Sequence, residues 1–128
     1  MNETFPDDPV YRVSHWDGDV MVIVLMHYIR VFTSLGLVTI PSGFRSDGLS
    51  IPRCAWGIIG PGTGRAFRAG LLHDFLYSKS SDHTFRTTRK QADDLFLEAM
   101  WRLDIPWAKR RAMYLAVRAF GWKHYKKK

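Results

Sequence analysis

The dipeptide His73-Asp74 stands in the apolar string LLHDFLY, shortly after the turn Gly60-Pro61-Gly62, and a further acid, Asp93, stands in RKQADDLFLEAM. An imidazole and two carboxylates among apolar neighbours cost several kcal/mol to bury unless they pair, hydrogen-bond or bind a metal. Three chemistries suit the set. Asp93 can hold the His73 imidazole in one tautomer while His73 acts as general base on a water. Asp74 can then join carbonyl oxygens of Gly60 and Gly62 around a hard cation such as calcium. Alternatively, His73, Asp74 and Asp93 together can ligate zinc or another divalent cation. The third arrangement is structural: a network between helices with His73 bonded to Asp93, and Asp74 bonded to Arg53 or Arg65.

Positioning these groups requires helices. Thr63 is a cap for a helix from about Arg65 to Ser78. Thr88 followed by Gln91 is a capping-box pattern that opens a second helix, from about Arg89 to Leu103. Successive helical residues point about 100° apart, so His73 and Asp74 flank a site rather than aim at one point. Ala66, Ala69, Gly70 and Tyr77 share the flank of His73. Ala92, Leu95, Phe96, Ala99 and Leu103 form the apolar stripe of the second helix. Asp93 borders that stripe, one turn after Arg89. Asp94 shares its face with Lys90, Glu98 and Arg102 and reads as solvated, so Asp93 is the candidate and Asp94 is not. Asp104 caps a third helix that carries Ala108, Ala112, Met113, Ala116, Val117 and Phe120 to about Gly121, with Pro106 in its first turn. Trp101, Trp107 and Trp122 read as helix-packing residues.

The first half reads as strands. Val10–Val13 is a short β run, and Asp17-Gly18-Asp19 a turn. Val20–Phe32 is apolar on both parities and reads as one strand buried on both faces. Ser34-Leu35-Gly36 turns into the strand Leu37–Ile40, and residues 42–53 read as an ordered loop. In that loop Asp47 and Ser50 suit a pinned turn, and Arg53 a carboxylate clamp. Ser50 lacks the Gly-x-Ser-x-Gly surroundings of a nucleophile. Cys54 beside Ala55 and Trp56 reads as a small buried hydrophobe. His15, His27, His83 and His124 show no paired ligand spacing. The expected fold is α+β: a small antiparallel N-terminal sheet followed by three packed helices, as one domain over residues 1–122 with a basic tail over 123–128.

Bulk properties narrow the function classes. A chain of 128 residues, 46% hydrophobic with five tryptophans, can bury a core, which excludes intrinsic disorder. One cysteine excludes an internal disulfide. The acidic opening MNETFPDDP lacks the basic-then-apolar pattern of a signal peptide, and the apolar run broken by His27 and Arg30 reads as too short to span a membrane. The net charge of +7 is concentrated after Asp104, where no acid follows and Lys109, Arg110, Arg111, Arg118, Lys123 and Lys126–Lys128 stand. Such an end suits an anionic membrane surface or an acidic partner. No nucleic-acid motif accompanies it.

Four strings carry a resemblance: IPSGFRSDGLSIPR, HDFLY, RKQADDLFLEAM and MYLAVRAFGW, in that order. Together they resemble a family of small proteins common in bacteriophages and prophages, catalogued as domain of unknown function 1353. Its members carry Gly-Phe-x-Thr-Asp-x-Ala-Ser-x-Pro-Arg, His-Asp-x-x-Tyr and Arg-x-x-Ala-Asp stretches. Ser46 replaces the usual threonine and Gly48-Leu49 the usual pair. Asp47, Ser50, Pro52, Arg53, His73, Asp74, Tyr77, Arg89 and Asp93 stay in register. The resemblance implies a phage or prophage origin, in host cytoplasm or virion, with other virion proteins as partners. A local resemblance covers about Gly60 to Asp93 and is similar to the site of secreted phospholipases A2, particularly disulfide-free viral ones. It implies His73 as base, Asp93 as orienting acid, Asp74 as calcium ligand, and Gly60 and Gly62 as part of the calcium loop. The expectation is a His/Asp hydrolase of esters, with a noncatalytic virion, tail or assembly component as the alternative.

Overall fold

The computed structural model describes residues 4–7, 9–17, 20–46, 64–78, 81, 85–123 and 125. β1 (Tyr11–Asp17) pairs antiparallel with β2 (Val20–Leu25), the register slipping between Val13 and His15. β2 also pairs with the short β5 (Arg45–Ser46), which gives the sheet order β1-β2-β5. β3 (Ile29–Thr33) and β4 (Gly36–Ile40) form a separate antiparallel hairpin. Three helices follow: α1 (Gly64–Tyr77), α2 (Arg89–Arg102) and α3 (Trp107–Phe120), then a 3-10 turn over Gly121–Lys123. The fold is α+β, as the patterning predicts.

The expected single strand Val20–Phe32 is two strands in two sheets. Met26, His27 and Tyr28 are exposed and interrupt the ladder. Their neighbours explain the break. Leu25 exchanges backbone bonds with Phe44 and Gly43, Met26 N–H donates to Val10, and Ser42 Oγ donates to the Met26 carbonyl. The crossing backbone satisfies the polar groups there, so the ladder need not continue. β2 is buried on both parities at Ile23, Val24 and Leu25, whereas β3 alternates, with Ile29 and Val31 buried and Arg30 and Phe32 exposed. Arg45–Ser46, expected within a loop, is β5.

The core lies between sheets and helices. Ile23, Leu25, Ile29, Val31, Val38 and Ile40 meet Leu71, Leu72, Phe75, Leu76, Phe96 and Met100. Phe44 packs edge-on against Phe75, and Tyr11 stacks against Phe67. The N-terminal segment runs beside β3, with the Thr4 carbonyl accepting from Phe32 N–H. Asp7 takes both Nε and a terminal nitrogen of Arg30 at 2.9 Å. That bond holds its carboxyl at about 2. The Thr33–Gly36 turn is tied to α2 through Ser34 N–H and Glu98.

The capping box of α2 forms as read: Thr88 Oγ1 accepts from Gln91 N–H, and Gln91 Oε1 accepts from Thr88 N–H. Asp104 does not cap α3; that position is Pro106, with no side-chain cap. Instead Asp104 terminates α2 with φ +60. Its N–H bonds to the Trp101 carbonyl and Ile105 N–H to that of Met100. This is a Schellman ending, whose left-handed position glycine usually fills. Asp104 and Pro106 compete for one short link, and the ending of α2 prevails. On α3 only part of the expected stripe faces inward: Met113 and Val117 are buried, while Ala108 and Phe120 are exposed.

Candidate functional site

His73 and Tyr77 lie one turn apart on α1, so they share a face. On α2, Asp93 and Phe96 share another. Small residues, Ala69 on α1 with Ala92 and Ala99 on α2, are fully packed and let the helices approach. His73 Nε2 then meets Asp93 Oδ1 at 2.8 Å, and Tyr77 OH donates to the same oxygen. Arg118, from α3, donates to Asp93 Oδ2 at 2.7 Å. Asp93 is 0% exposed and His73 5%. The His73 ring lies between Tyr77 and Phe96, with ring centroids 4.1 and 4.7 Å away.

The electrostatics follow from this packing. Burial pushes the Asp93 carboxyl up, but bonds from His73, Tyr77 and Arg118 outweigh it, and the pKa is lowered. An ionised Asp93 accepts only, so Nε2 of His73 carries the proton toward it, and Nδ1 is the basic nitrogen of the neutral ring. Burial, and after it the bond to Asp93, raises the Tyr77 phenol. The bond to Asp93 likewise raises Arg118.

Arg89 takes a different place from that suggested by its spacing. Its guanidinium donates to the carbonyls of Val117 and Arg118, in the last turn of α3. It supplies donors and positive charge where a helix end lacks the first and favours the second. The two helices thus exchange arginines: Arg89 from α2 to the end of α3, Arg118 from α3 to Asp93. Asp94 is exposed, as expected, bonded by Lys90 and by Tyr114 OH.

Asp74 stands apart from this knot. Its Oδ2 accepts from Ser46 Oγ of β5 at 2.5 Å, which ties α1 to the sheet. Among the described residues no three His, Cys, Asp or Glu side chains converge to hold a metal ion. Calcium takes six to eight oxygen ligands. Gly60 and Gly62, whose carbonyls are expected beside Asp74, lie outside the described residues. So do Asp47, Ser50, Arg53, Cys54 and Thr63, with the tail 126–128.

Four contributors escaped the sequence reading. Arg118 carried a signal: a cation in AVRAF is as anomalous as His73 in its own string. Ser46 carried one, as a hydroxyl standing where the family motif has threonine, and Tyr125 carried none. Tyr125 packs edge-on to Tyr77 and donates to the Thr87 carbonyl. Gly121 read only as a helix end. It has an ordinary helical φ of -65, but a Cβ there would stand 2.6 Å from Tyr77 OH. Glycine is needed for close approach, not for conformation. Trp101, Trp107 and Trp122 are corrected: each is more than half exposed, so none is a buried packing residue.

The chain is 36% identical over 83 residues, 64% of its length, to the uncharacterized protein y4jT of Sinorhizobium fredii (strain NBRC 101917 / NGR234). The match covers 23% of that relative, so it corresponds to one part of a longer protein. No solved structure matches. The family model described as protein of unknown function (DUF1353) matches residues 23–117, which run from within β2 through most of α3 and include His73, Asp74, Tyr77, Arg89 and Asp93, and the chain belongs to that family.

Proposed function

We propose that the protein is a small hydrolase of esters in which His73 is the general base and Asp93 its orienting acid. The observation that carries this reading is the 2.8 Å bond from His73 Nε2 to an Asp93 carboxylate that Tyr77 and Arg118 also hold. A carboxylate fixed by three donors cannot rotate away, so it sets both tautomer and ring plane. In the proposed reaction His73 Nδ1 takes a proton from water, and the water oxygen attacks the ester carbonyl carbon. The tetrahedral intermediate then releases the alkoxide. The imidazolium returns its proton to that leaving oxygen, giving acid and alcohol. Calcium held through Asp74, Gly60 and Gly62 belongs to the same proposal, and so does a phage or prophage setting in host cytoplasm or virion.

The test is release of product from a p-nitrophenyl ester and from phospholipid vesicles, with calcium and with a chelator. Wild type should exceed the protein-free blank, and His73→Gln should return to it. Asp93→Asn should lower the rate about a hundredfold or more. A wild-type rate equal to the blank on both substrates would sink the hydrolase.

A second reading is favoured by the burial of His73 and Asp93. In it the cluster is a scaffold inside a noncatalytic virion, tail or assembly component. It expects the protein in purified phage particles, and a His73→Gln protein that melts earlier while still entering them.

A further inference from the structure

The outer side of α3 has an apolar row that the core does not use. Trp107, Arg111, Leu115 and Ala119 follow at intervals of four and are all exposed, with Ala108 beside them. Trp107 is 64% exposed and Leu115 65%. Met113 and Val117 face the core from the other side. The helix therefore carries two apolar faces, and one lies open. The Arg111 guanidinium rests 5.8 Å from the Trp107 ring centroid, so its stem lies along the row while its charge stays at the rim. At the neighbouring elbow Arg102 lies over the exposed Trp101 ring in the same way.

We propose that this face of α3 docks on an anionic lipid bilayer. Tryptophan and leucine would enter the headgroup–acyl boundary while the arginines stay among lipid phosphates, the arrangement of a helix lying in the interface plane. Charge complementarity selects this occupant: from Ile105 onward the sequence has no acid, and Lys109 and Arg111 are exposed cations on α3. No described helix is long and apolar enough to cross a membrane, so this contact is one of lying on the surface. The proposal goes beyond ester hydrolysis and does not depend on it.

The test is cosedimentation of the full chain with phosphatidylserine–phosphatidylcholine vesicles and with pure phosphatidylcholine vesicles, at low and high salt. Binding should favour the anionic vesicles at least about tenfold and weaken with salt. Arg111→Glu should weaken it about tenfold or more. A Trp107→Ser/Leu115→Ser double variant, checked for an unchanged circular dichroism spectrum, should abolish it. Equal binding to both vesicle types, no binding to either, or unaltered binding of the double variant would overturn the proposal. A concentration-dependent dimer that the double variant dissolves, without vesicle binding, would assign the face to a second copy and overturn it as well.

Discussion

Asp93 concentrates the consequences of single substitutions. It is fully buried, and its two oxygens take donors from His73, Tyr77 and Arg118. Removing one partner of a buried pair strands the others, which costs about 3–5 kcal/mol. Asp93→Ala should lower unfolding stability by that amount in urea titration, whether or not the site is catalytic. Tyr77 and Gly121 provide a finer probe. Tyr77→Phe removes a bond to a charged group, worth about 1.5–3 kcal/mol. Gly121→Ala pushes a methyl toward the same hydroxyl, with overpacking of about 1–3 kcal/mol. In the Tyr77→Phe background the hydroxyl is gone, so Gly121→Ala should cost less. A double-mutant cycle should return a coupling of about 1 kcal/mol, and strict additivity would show that glycine is there for another reason.

At the scale of elements, the helix boundaries are set by local chemistry that can be tested separately. Thr88 and Gln91 close the start of α2 reciprocally. Thr88→Ala should cost about 1 kcal/mol. The end of α2 places Asp104 in the left-handed region, where a Cβ is penalised. Asp104→Gly should raise stability by about 0.5–1 kcal/mol, since glycine suits that backbone. A thermal shift upward for Asp104→Gly and downward for Thr88→Ala is the expected pair. These two sites also mark what spacing can and cannot reveal. The box at Thr88 is a pattern of residue types three apart, and it was legible. The choice between ending α2 and starting α3 at Asp104 depends on where Ile105 packs, and spacing does not contain that.

For the whole molecule, the Asp93 knot joins three helices, so its titration should appear as a global pH dependence. The lowered Asp93 pKa means that its contribution is complete above the ordinary carboxylate value of about 4. It is lost as pH falls toward and through the depressed folded value. The raised Tyr77 pKa acts at the other end. Its contribution is complete below the ordinary phenol value of about 10 and is lost as pH rises through the folded value. Urea midpoints measured from acid to alkali should form a plateau with a fall on each side. Asp93→Asn should reduce the acid fall, leaving the part due to Asp7 and Asp94, whose carboxyls are also lowered. An acid fall unchanged by Asp93→Asn would place the pH dependence elsewhere.

The sequence by itself determined the α+β order and the capping box, and it singled out Asp93 rather than Asp94 as the acid to stand with His73. Each of these rests on residue type and short spacing: periodicity, a cap motif, or polar groups in apolar strings whose burial demands a partner. Only the tertiary structure decided that Val20–Phe32 divides between two sheets, that Arg89 holds the end of α3, and that Arg118 and Ser46 take the two carboxylates. It alone also decided that the tryptophans of α2 and α3 face outward. The physical reason is common to all four. An apolar or charged side chain has several ways to be satisfied, and the choice among them depends on which distant backbone or side chain packs beside it.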